Sequence, residues 1–248
     1  FNNDGVAALV ERAKRRRSAT ALGINIGKNA ITPPERAVAD YLAGLNAVYS
    51  IADYITINIS SPNTKGLRDM QGRESLDELL GALRDERDRL AEAEARYVPL
   101  AVKIAPDLDE SQLDAIADRL LHHGIDGVIA TNTTTARDGV PLRWTNEAGG
   151  LSGVPVRERS TQVIAALRTC LGTKLPIVGV GGIQSARDAT DKLEAGATAV
   201  QMYTGLIYQG PRLIADCARA AQLVYADQRA RELKSVVRRD RARVSAER

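Results

Sequence analysis

Two amides and three hydroxyls lie close together just after a short apolar run. The run is Tyr54-Ile55-Thr56-Ile57, and the polar segment after it is Asn58-Ile59-Ser60-Ser61-Pro62-Asn63-Thr64. The β-branched and aromatic run predicts a buried strand, and proline cannot continue a central strand, so the chain must turn at Pro62. Polar groups at a buried strand end need partners, and a bound polar ligand can supply them. Taken alone, the segment is more typical of a turn that closes a strand.

Repetition favours the ligand-binding interpretation, because polar or glycine residues end every predicted strand. These strand ends are Asn25, Asn58, Lys103, Thr131-Asn132, Gly181-Gly182 and Tyr203-Thr204. Strand and helix patterns alternate six times with short links, which predicts parallel strands joined by right-handed crossovers. An open doubly wound sheet and a (β/α)₈ barrel both have that rhythm. We expect the TIM barrel, because only in a barrel do all strand ends converge on one mouth.

The positions of the elements follow from hydrophobic period and from breaker residues. The predicted strands cover about 21–27, 54–57, 98–104, 127–131, 177–180 and 199–203. The predicted helices cover about 5–17, 33–50, 75–95, 111–123, 157–171, 185–195 and 211–225, with a polar loop at 133–153. Ser75 and Glu78 have capping-box spacing. Six units are two short of a closed barrel, so we expect the first two strands to lie upstream of Phe1.

Two strand ends predict a phosphate site, and a third carries a lysine. Gly181-Gly182 and the neighbouring Tyr203-Thr204 lie where barrels often bind phosphate through backbone N–H groups. Lys103 closes the apolar strand 98–104, where a lysine either reaches out to solvent or is held as a fixed charge. A fixed charge would stabilise an anionic electron acceptor such as a flavin ring. A Schiff-base lysine acting on a carbonyl substrate is the alternative.

No histidine is placed to act as a base. His122 and His123 are the only histidines, and they end a predicted helix on the face opposite the mouth. Asp107 follows a proline and is interpreted as a turn residue. Ser61 is then the best-placed proton acceptor, although a serine needs an onward path for the proton, through water or Thr64.

Composition limits the other classes of function. The net charge is +3, but residues 226–248 contribute eight basic and four acidic side chains, or +4, so the rest is near −1. A nucleic-acid-binding body is therefore not expected. No apolar run suits a membrane span or a signal peptide, and the two cysteines have no metal-ligand spacing, so no metal site is expected. The start at Phe1 without methionine suggests the interior of a longer protein.

Several motifs in order resemble the dihydroorotate dehydrogenase family over residues 1–221. Besides 58–64 they are Gly23-Ile24-Asn25-Ile26-Gly27-Lys28-Asn29, Val102-Lys103-Ile104-Ala105-Pro106-Asp107, Ala130-Thr131-Asn132-Thr133-Thr134, Gly149-Gly150-Leu151-Ser152-Gly153 and Gly179-Val180-Gly181-Gly182-Ile183. The family oxidises dihydroorotate to orotate and reduces FMN, a step of pyrimidine synthesis. Its membrane-associated class, which reduces a quinone, has a serine base where the soluble class has cysteine. Ser61 occupies that position here, so the resemblance implies the quinone class.

The resemblance also implies roles for individual residues. Ser61 corresponds to the base that takes the C5 proton while hydride leaves C6 for flavin N5. The substrate contacts are Phe1, Asn58, Asn63, Asn132 and Thr133. The FMN contacts are Asn25, Asn58, Lys103 and Thr131, with Gly153, Gly182, Tyr203 and Thr204 mostly around the phosphate.

The family pattern places further parts before Phe1. These are the first two barrel strands, a further lysine, and N-terminal helices that form the quinone tunnel and attach the enzyme peripherally to the cytoplasmic side of the inner membrane. Without them we expect an open barrel with an exposed sheet edge that binds FMN weakly or not at all. Residues 1–225 are expected to form the FMN-binding domain of a monomer, and 226–248 a basic tail that is either solvated or in contact with anionic lipid.

Two alternatives stay open at this point. One is a different FMN-dependent barrel that oxidises another cyclic substrate and does not need the amide cluster of Asn58, Asn63 and Asn132. The other is a non-catalytic binding module in which the basic tail does the binding and the barrel is a scaffold.

Overall fold

Six parallel strands form one sheet in the same order as they occur along the chain. The computed structural model describes residues 3–246, with side chains over 3–231. The strands are β1 (Gly23–Ile26), β2 (Tyr54–Asn58), β3 (Leu100–Ile104), β4 (Gly127–Ala130), β5 (Ile177–Val180) and β6 (Ala199–Gln201). Each pairs with the next in parallel, and in this described part β1 and β6 are the two edges.

Helices connect the strands. They are α1 (Val6–Lys14), α2 (Ala37–Val48), α3 (Arg73–Glu94), α4 (Glu110–His122), α5 (Arg157–Leu171), α6 (Ala186–Glu194), α7 (Thr204–Gln209) and α8 (Arg212–Ala246). Right-handed crossovers in one constant direction place the helices on a single face of the sheet. This sequential order rules out the doubly wound alternative, in which the direction reverses at a switch point. The sheet is a curled, partial TIM barrel.

The strand register divides the side chains between two faces. Ile55 pairs with Leu100 and Ile57 with Val102, and all four are buried against the helices. The alternate face carries Asn25, which pairs with Thr56, and Asn58, which pairs with Lys103. Burial of each large aliphatic side chain contributes about 1.5–3 kcal/mol, so the helix-covered face holds the sheet together. The other face is left to position polar groups.

Several predicted boundaries were wrong for local reasons. Helix α3 begins at Arg73 after Gly72, two residues before the predicted capping box of Ser75 and Glu78. The capping box belongs instead to α4, where Asp109 and Gln112 bond reciprocally. Strand β6 ends at Gln201, because the chain turns at Tyr203 into α7, a short helix that the pattern did not predict.

The last helix does not end near Tyr225 as expected. Helix α8 runs without a break from Arg212 to Ala246, across the predicted boundary between body and tail. Tyr225 donates a hydrogen bond to the carbonyl of Thr198 at 2.7 Å, which ties the helix to the sheet, and residues 226–231 are exposed. Within the described residues no helix has the length and apolarity needed to cross a bilayer.

Candidate active site

The predicted site residues fall into two groups along the carboxyl edge of the sheet. The polar half comprises Asn58, Ser60, Lys103, Asn132 and the loops that follow β2, β3 and β4. The glycine half comprises Gly153, Gly181, Gly182 and the segment from Tyr203 to Gly205, which follow β4, β5 and β6. Phe1 lies outside the described residues.

The amide of Asn132 joins the ends of β2 and β4. Its Nδ2 donates to Asn58 Oδ1 at 3.1 Å and to Ser60 Oγ at 3.0 Å. Its Oδ1 accepts from the backbone N–H of Thr133 at 2.9 Å. Ser60 Oγ in turn donates to the carbonyl of Lys103 at 2.7 Å, which adds the end of β3. Three strand ends are therefore locked together by side chains.

Asn58 is fixed from the helix side as well. The hydroxyl of Tyr41, buried on α2, donates to the Asn58 carbonyl at 2.7 Å. The Asn58 Oδ1 atom accepts hydrogen bonds from Asn132 Nδ2 at 3.1 Å and from the Ser60 backbone N–H at 3.3 Å. The Asn58 Nδ2 group has no protein partner among the described residues, so it is the part of this amide that can bind a ligand.

Lys103 is a partly buried cation without a counterion. Among residues 3–231 no carboxylate lies within ion-pair distance of its ammonium group. Burial lowers its pKa, and no neighbouring charge opposes that effect. Such a group stabilises any negative charge that comes to lie beside it.

Ser61 lies beyond this network, at the surface of the polar half. It is partly exposed, and its Oγ accepts a hydrogen bond from the backbone N–H of Asn63 at 3.3 Å. Among the described side chains, no carboxylate, imidazole or Thr64 hydroxyl bonds to it. His122 and His123 lie at the end of α4, where the His123 ring contacts Asp77 Oδ1 at 2.8 Å.

The loop after β4 folds back over the segment that carries Ser61. A Cβ built on Gly149 would lie 2.9 Å from Asn63 Oδ1. One built on Gly150 would lie 1.9 Å from Thr133 Oγ1 and 2.8 Å from Pro62 Cγ. Glycine is needed at both positions for this close approach, which brings Asn63 and Thr133 to the same place.

Sequence reasoning missed the residue that holds these loops together. The Arg68 guanidinium donates to the Ser60 carbonyl at 3.2 Å and to the Thr133 carbonyl at 2.9 Å, and pairs with Asp107 Oδ2 at 2.7 Å. Arg68 lies ten residues after the end of β2 and belongs to no periodic pattern, so nothing in the local sequence indicates its role. Only its juxtaposition with three loops reveals it.

Asp107 does more than close a turn. One oxygen accepts from the Thr134 hydroxyl and the other from the Thr135 backbone N–H at 3.0 Å. Burial alone would raise its pKa, but these bonds and the Arg68 charge outweigh burial and leave the pKa below its usual value. Asp107 therefore stays ionised and links the loop after β3 to the loop after β4.

The glycine half is built from backbone. Gly182 has φ +71°, and a Cβ there would lie 2.3 Å from Arg157 Cβ at the start of α5. A Cβ on Gly153, also with positive φ, would lie 3.3 Å from the Thr204 methyl group. The Thr204 hydroxyl donates to Ser152 Oγ at 3.0 Å. Gly153 and Gly182 thus lie in loops close to the start of α7 at Thr204, and the N–H groups of these segments can approach an anion.

The remaining predicted residues lie near these groups. Thr131 is buried, follows a cis peptide bond, and joins the two halves by donating its N–H to the Val180 carbonyl at 2.9 Å. Asn25 is exposed on edge strand β1. It pairs with Thr56, which lies two residues before Asn58 on β2. Tyr203 is 61% exposed at the start of α7. Among residues 3–231 no cluster of acidic, His or Cys side chains is suited to a metal.

Comparison with known proteins agrees with this architecture. The family profile for dihydroorotate dehydrogenase matches residues 1–222. Dihydroorotate dehydrogenase (quinone) of Chromobacterium violaceum is 59% identical over 223 residues, and that of Bordetella pertussis 58% over 224. Each alignment covers 89% of this chain and 64% of the relative, so the chain spans less than two thirds of their length.

Solved structures give the same result. Eimeria tenella DHODH in complex with ferulenol superposes with a TM-score of 0.79 at 36% identity, over 87% of this chain and 63% of that one. The ligand-free form of the same protein superposes with a TM-score of 0.79 at 36% identity, over 87% of this chain and 65% of that one. The match in sequence extends over nearly the whole body of the chain, and the match in fold includes the sheet whose carboxyl edge carries both halves of the site. The chain belongs to the dihydroorotate dehydrogenase family.

Proposed function

We propose that the protein oxidises dihydroorotate to orotate, with FMN as the hydride acceptor and a quinone as the final electron acceptor, in pyrimidine synthesis. The observation that carries this proposal is the network through which Asn132 and Ser60 unite the ends of β2, β3 and β4 beside Lys103. Relatives that share more than half of their aligned residues with this chain are named dihydroorotate dehydrogenase (quinone).

The residues fit FMN. Its phosphate suits the glycine half, where Gly182 has no room for a side chain and the backbone can approach closely. Its ring carries carbonyls and ring nitrogens that can accept hydrogen bonds from Lys103 and from the unused Asn58 amide group. Asn25 on β1 and Thr131, directly after β4, are the further proposed contacts of the ring. An uncompensated lysine in this position favours a ring that becomes negative on reduction. When bound, the cofactor supplies the acceptor for the hydride that leaves the substrate.

The substrate contacts follow from functional groups. Dihydroorotate has a carboxylate and a cyclic imide, which together need several donors and acceptors in one plane. The amides of Asn58, Asn63 and Asn132 and the hydroxyl of Thr133 offer both kinds. Asn132 already uses its Nδ2 and Oδ1 atoms within the protein, so it also orients its neighbours. Prior positioning of such groups reduces the entropy cost of reaching the reactive geometry.

Ser61 is proposed as the base. Its Oγ removes the C5 proton of dihydroorotate while the C6 hydride departs, which leaves the C5=C6 double bond of orotate. The N–H of Asn63 at 3.3 Å from Ser61 Oγ stabilises negative charge that develops on this oxygen. Thr64 makes no hydrogen bond with Ser61 in the described geometry, so water is the proposed next carrier of the proton.

The decisive experiment uses Ser61→Ala in the protein made from its complete coding sequence. We expect FMN to be retained and flavin reduction by dihydroorotate to slow by about 10²–10⁴-fold, because a positioned base contributes that much. Stopped-flow absorbance at several pH values measures the step. Ser50→Ala serves as the control, because Ser50 is exposed and precedes β2 at the amino edge of the sheet, opposite the site.

Three outcomes would count against the proposal. Unchanged reduction in Ser61→Ala would remove Ser61 from its role. Wild-type protein that holds flavin but is reduced only by another cyclic substrate would favour a different FMN-dependent oxidoreductase. A colourless protein that binds nucleic acid would favour the binding module.

We also propose peripheral attachment to the cytoplasmic side of the inner membrane, because a quinone acceptor resides in the bilayer. The protein is proposed to act there as a monomer. Fractionation of cells tests the attachment: the protein should sediment with membranes and be released by detergent, and recovery entirely in the supernatant would contradict it.

A further inference from the structure

A second lysine, outside the substrate region, is buried more deeply than Lys103. Lys192 on α6 has 0% of its surface exposed, and it is among the largest fully buried side chains of the described residues. Lysine is almost never buried completely unless its charge is paired. Neither the sequence patterns nor the proposed reaction assigns it a role.

The partners of Lys192 are neutral. Its Nζ donates to the hydroxyl of Ser160, to Thr161 Oγ1 at 3.1 Å and to the carbonyl of Arg157 at 3.4 Å. No carboxylate of residues 3–231 lies within ion-pair distance. The nearby Asp188 is already paired with Arg157 at 2.9 Å and accepts a hydrogen bond from Ser185, the N-cap of α6, at 2.9 Å. The ammonium is hydrogen-bonded but lacks a direct counterion.

The groups that hold Lys192 lie directly behind the turn after β5. A Cβ on Gly181 would lie 2.9 Å from Ser160 Oγ, and one on Gly182 would lie 2.3 Å from Arg157 Cβ. A Cβ on Gly179, in the strand itself, would lie 3.2 Å from Lys192 Cβ. One wall of packed residues therefore separates the ammonium from the glycine half.

We propose that Lys192 is a positioning residue for the cofactor phosphate, and that its buried positive charge stabilises the dianion through the Gly181-Gly182 turn. Fixed hydroxyls on α5 keep the ammonium in place, and the low-dielectric wall limits screening of its field. The inference rests on the proposed FMN function and adds a charge that does not touch the ligand.

A pH dependence follows from the charges around Lys192. Burial lowers its pKa to about 8, Asp188 and Asp191 oppose that effect, and Arg157 adds to it. Helix α8 packs on α6 and brings Asp216 and Cys217 near Asp188. A bound dianion favours the protonated lysine, so FMN binding must take up protons near pH 8. The affinity for FMN must then fall as the pH rises above 8, where the free protein loses the charge.

The experiment compares FMN with riboflavin, which has the same ring and no phosphate. Apo-protein from the complete coding sequence is titrated with each flavin between pH 7 and 9, with fluorescence quenching as the readout. Wild-type affinity for FMN should fall roughly fivefold over this range, while the affinity for riboflavin follows only the ring's own pH dependence.

Lys192→Met should bind FMN about tenfold more weakly at pH 7, lose the extra pH dependence, and bind riboflavin normally. Lys192→Arg should restore FMN binding, and Lys174→Met, at an exposed lysine, should match wild type.

Equal weakening of FMN and riboflavin in Lys192→Met would show a merely structural lysine and overturn the proposal. If that variant does not fold, calorimetry of the wild type at pH 8 in buffers of different ionisation enthalpy decides. FMN binding must take up more protons than riboflavin binding does, and equal uptake overturns the inference. Protein that binds FMN with this linkage but does not oxidise dihydroorotate would refute the proposed reaction alone, whereas protein that binds neither flavin would refute both.

Discussion

The polar half and the glycine half of the site lie on the same sheet edge but are held by different forces. In the polar half, side chains bond to one another across three strand ends, as Asn132 does with Asn58 and Ser60. In the glycine half, backbone segments touch without side chains between them, as Gly182 does with Arg157. The first is sensitive to the loss of a hydrogen-bond partner, and the second to the gain of a single carbon atom.

This difference matches the two kinds of ligand chemistry that the proposed function requires. A planar ring acid needs directional donors and acceptors, and amides supply them only if their own positions are fixed. A phosphate needs several N–H groups at close range, and a bare backbone supplies them. Lys103 and Lys192 add one positive charge to each half, the first beside the ligand region and the second behind a wall.

The largest effect is expected from Gly182→Ala, in the glycine half. The new methyl group would collide with Arg157 in a backbone conformation that alanine disfavours, so the free energy of unfolding should fall by about 2–4 kcal/mol and FMN should be lost. Gly139→Ala is the matched control, because Gly139 has φ +72° but no atom within 4 Å of a Cβ. It should cost only about 1 kcal/mol. Equal losses in urea unfolding would show that backbone strain, and not the collision, governs both sites.

A smaller and more selective effect is expected from Arg68→Met, in the polar half. Without the guanidinium, the loops that carry Ser61 and Thr133 lose their shared anchor, and a small misplacement of reacting groups costs up to about 10²-fold. The kcat/KM for dihydroorotate should fall about 10–100-fold, while the Kd for FMN stays near the wild-type value. Arg84→Met, at an arginine paired only with its neighbour Asp85, is the control. A matching loss of FMN would mean that the two halves are not separable.

The sequence predicted the elements and the strand ends better than it predicted the loops. Strand β5 and helix α5 were predicted with the bounds that the structure has, since each has a strong period and clear breakers. The polar strand ends were found because a polar residue after an apolar run is a local signal. Arg68, Asp107 and Lys192 were not, because their importance comes from residues far away in the chain. Helix α7 was missed for a related reason, since six residues are too few to show a helical period.

The smallest effect is an acid transition confined to the polar half. The pKa of Asp107 is lowered, so its stabilising contribution is fully present above the ordinary value of 3.8 and is lost as the pH falls through the lower folded value. Its protonation weakens the pair with Arg68 and the bonds to Thr134 and Thr135, which frees the start of the loop 133–153. Trp144, the only tryptophan, lies in that loop, so its emission should shift below pH 4 while circular dichroism is unchanged. Asp107→Asn should show the shifted emission already at pH 6 and no acid step, because it carries no charge to lose. If Asp107→Asn kept the acid step in Trp144 emission, another carboxylate would be the group that titrates. The anchoring of the loop 133–153 would then have to be assigned to Arg68 and its bonds to backbone carbonyls alone.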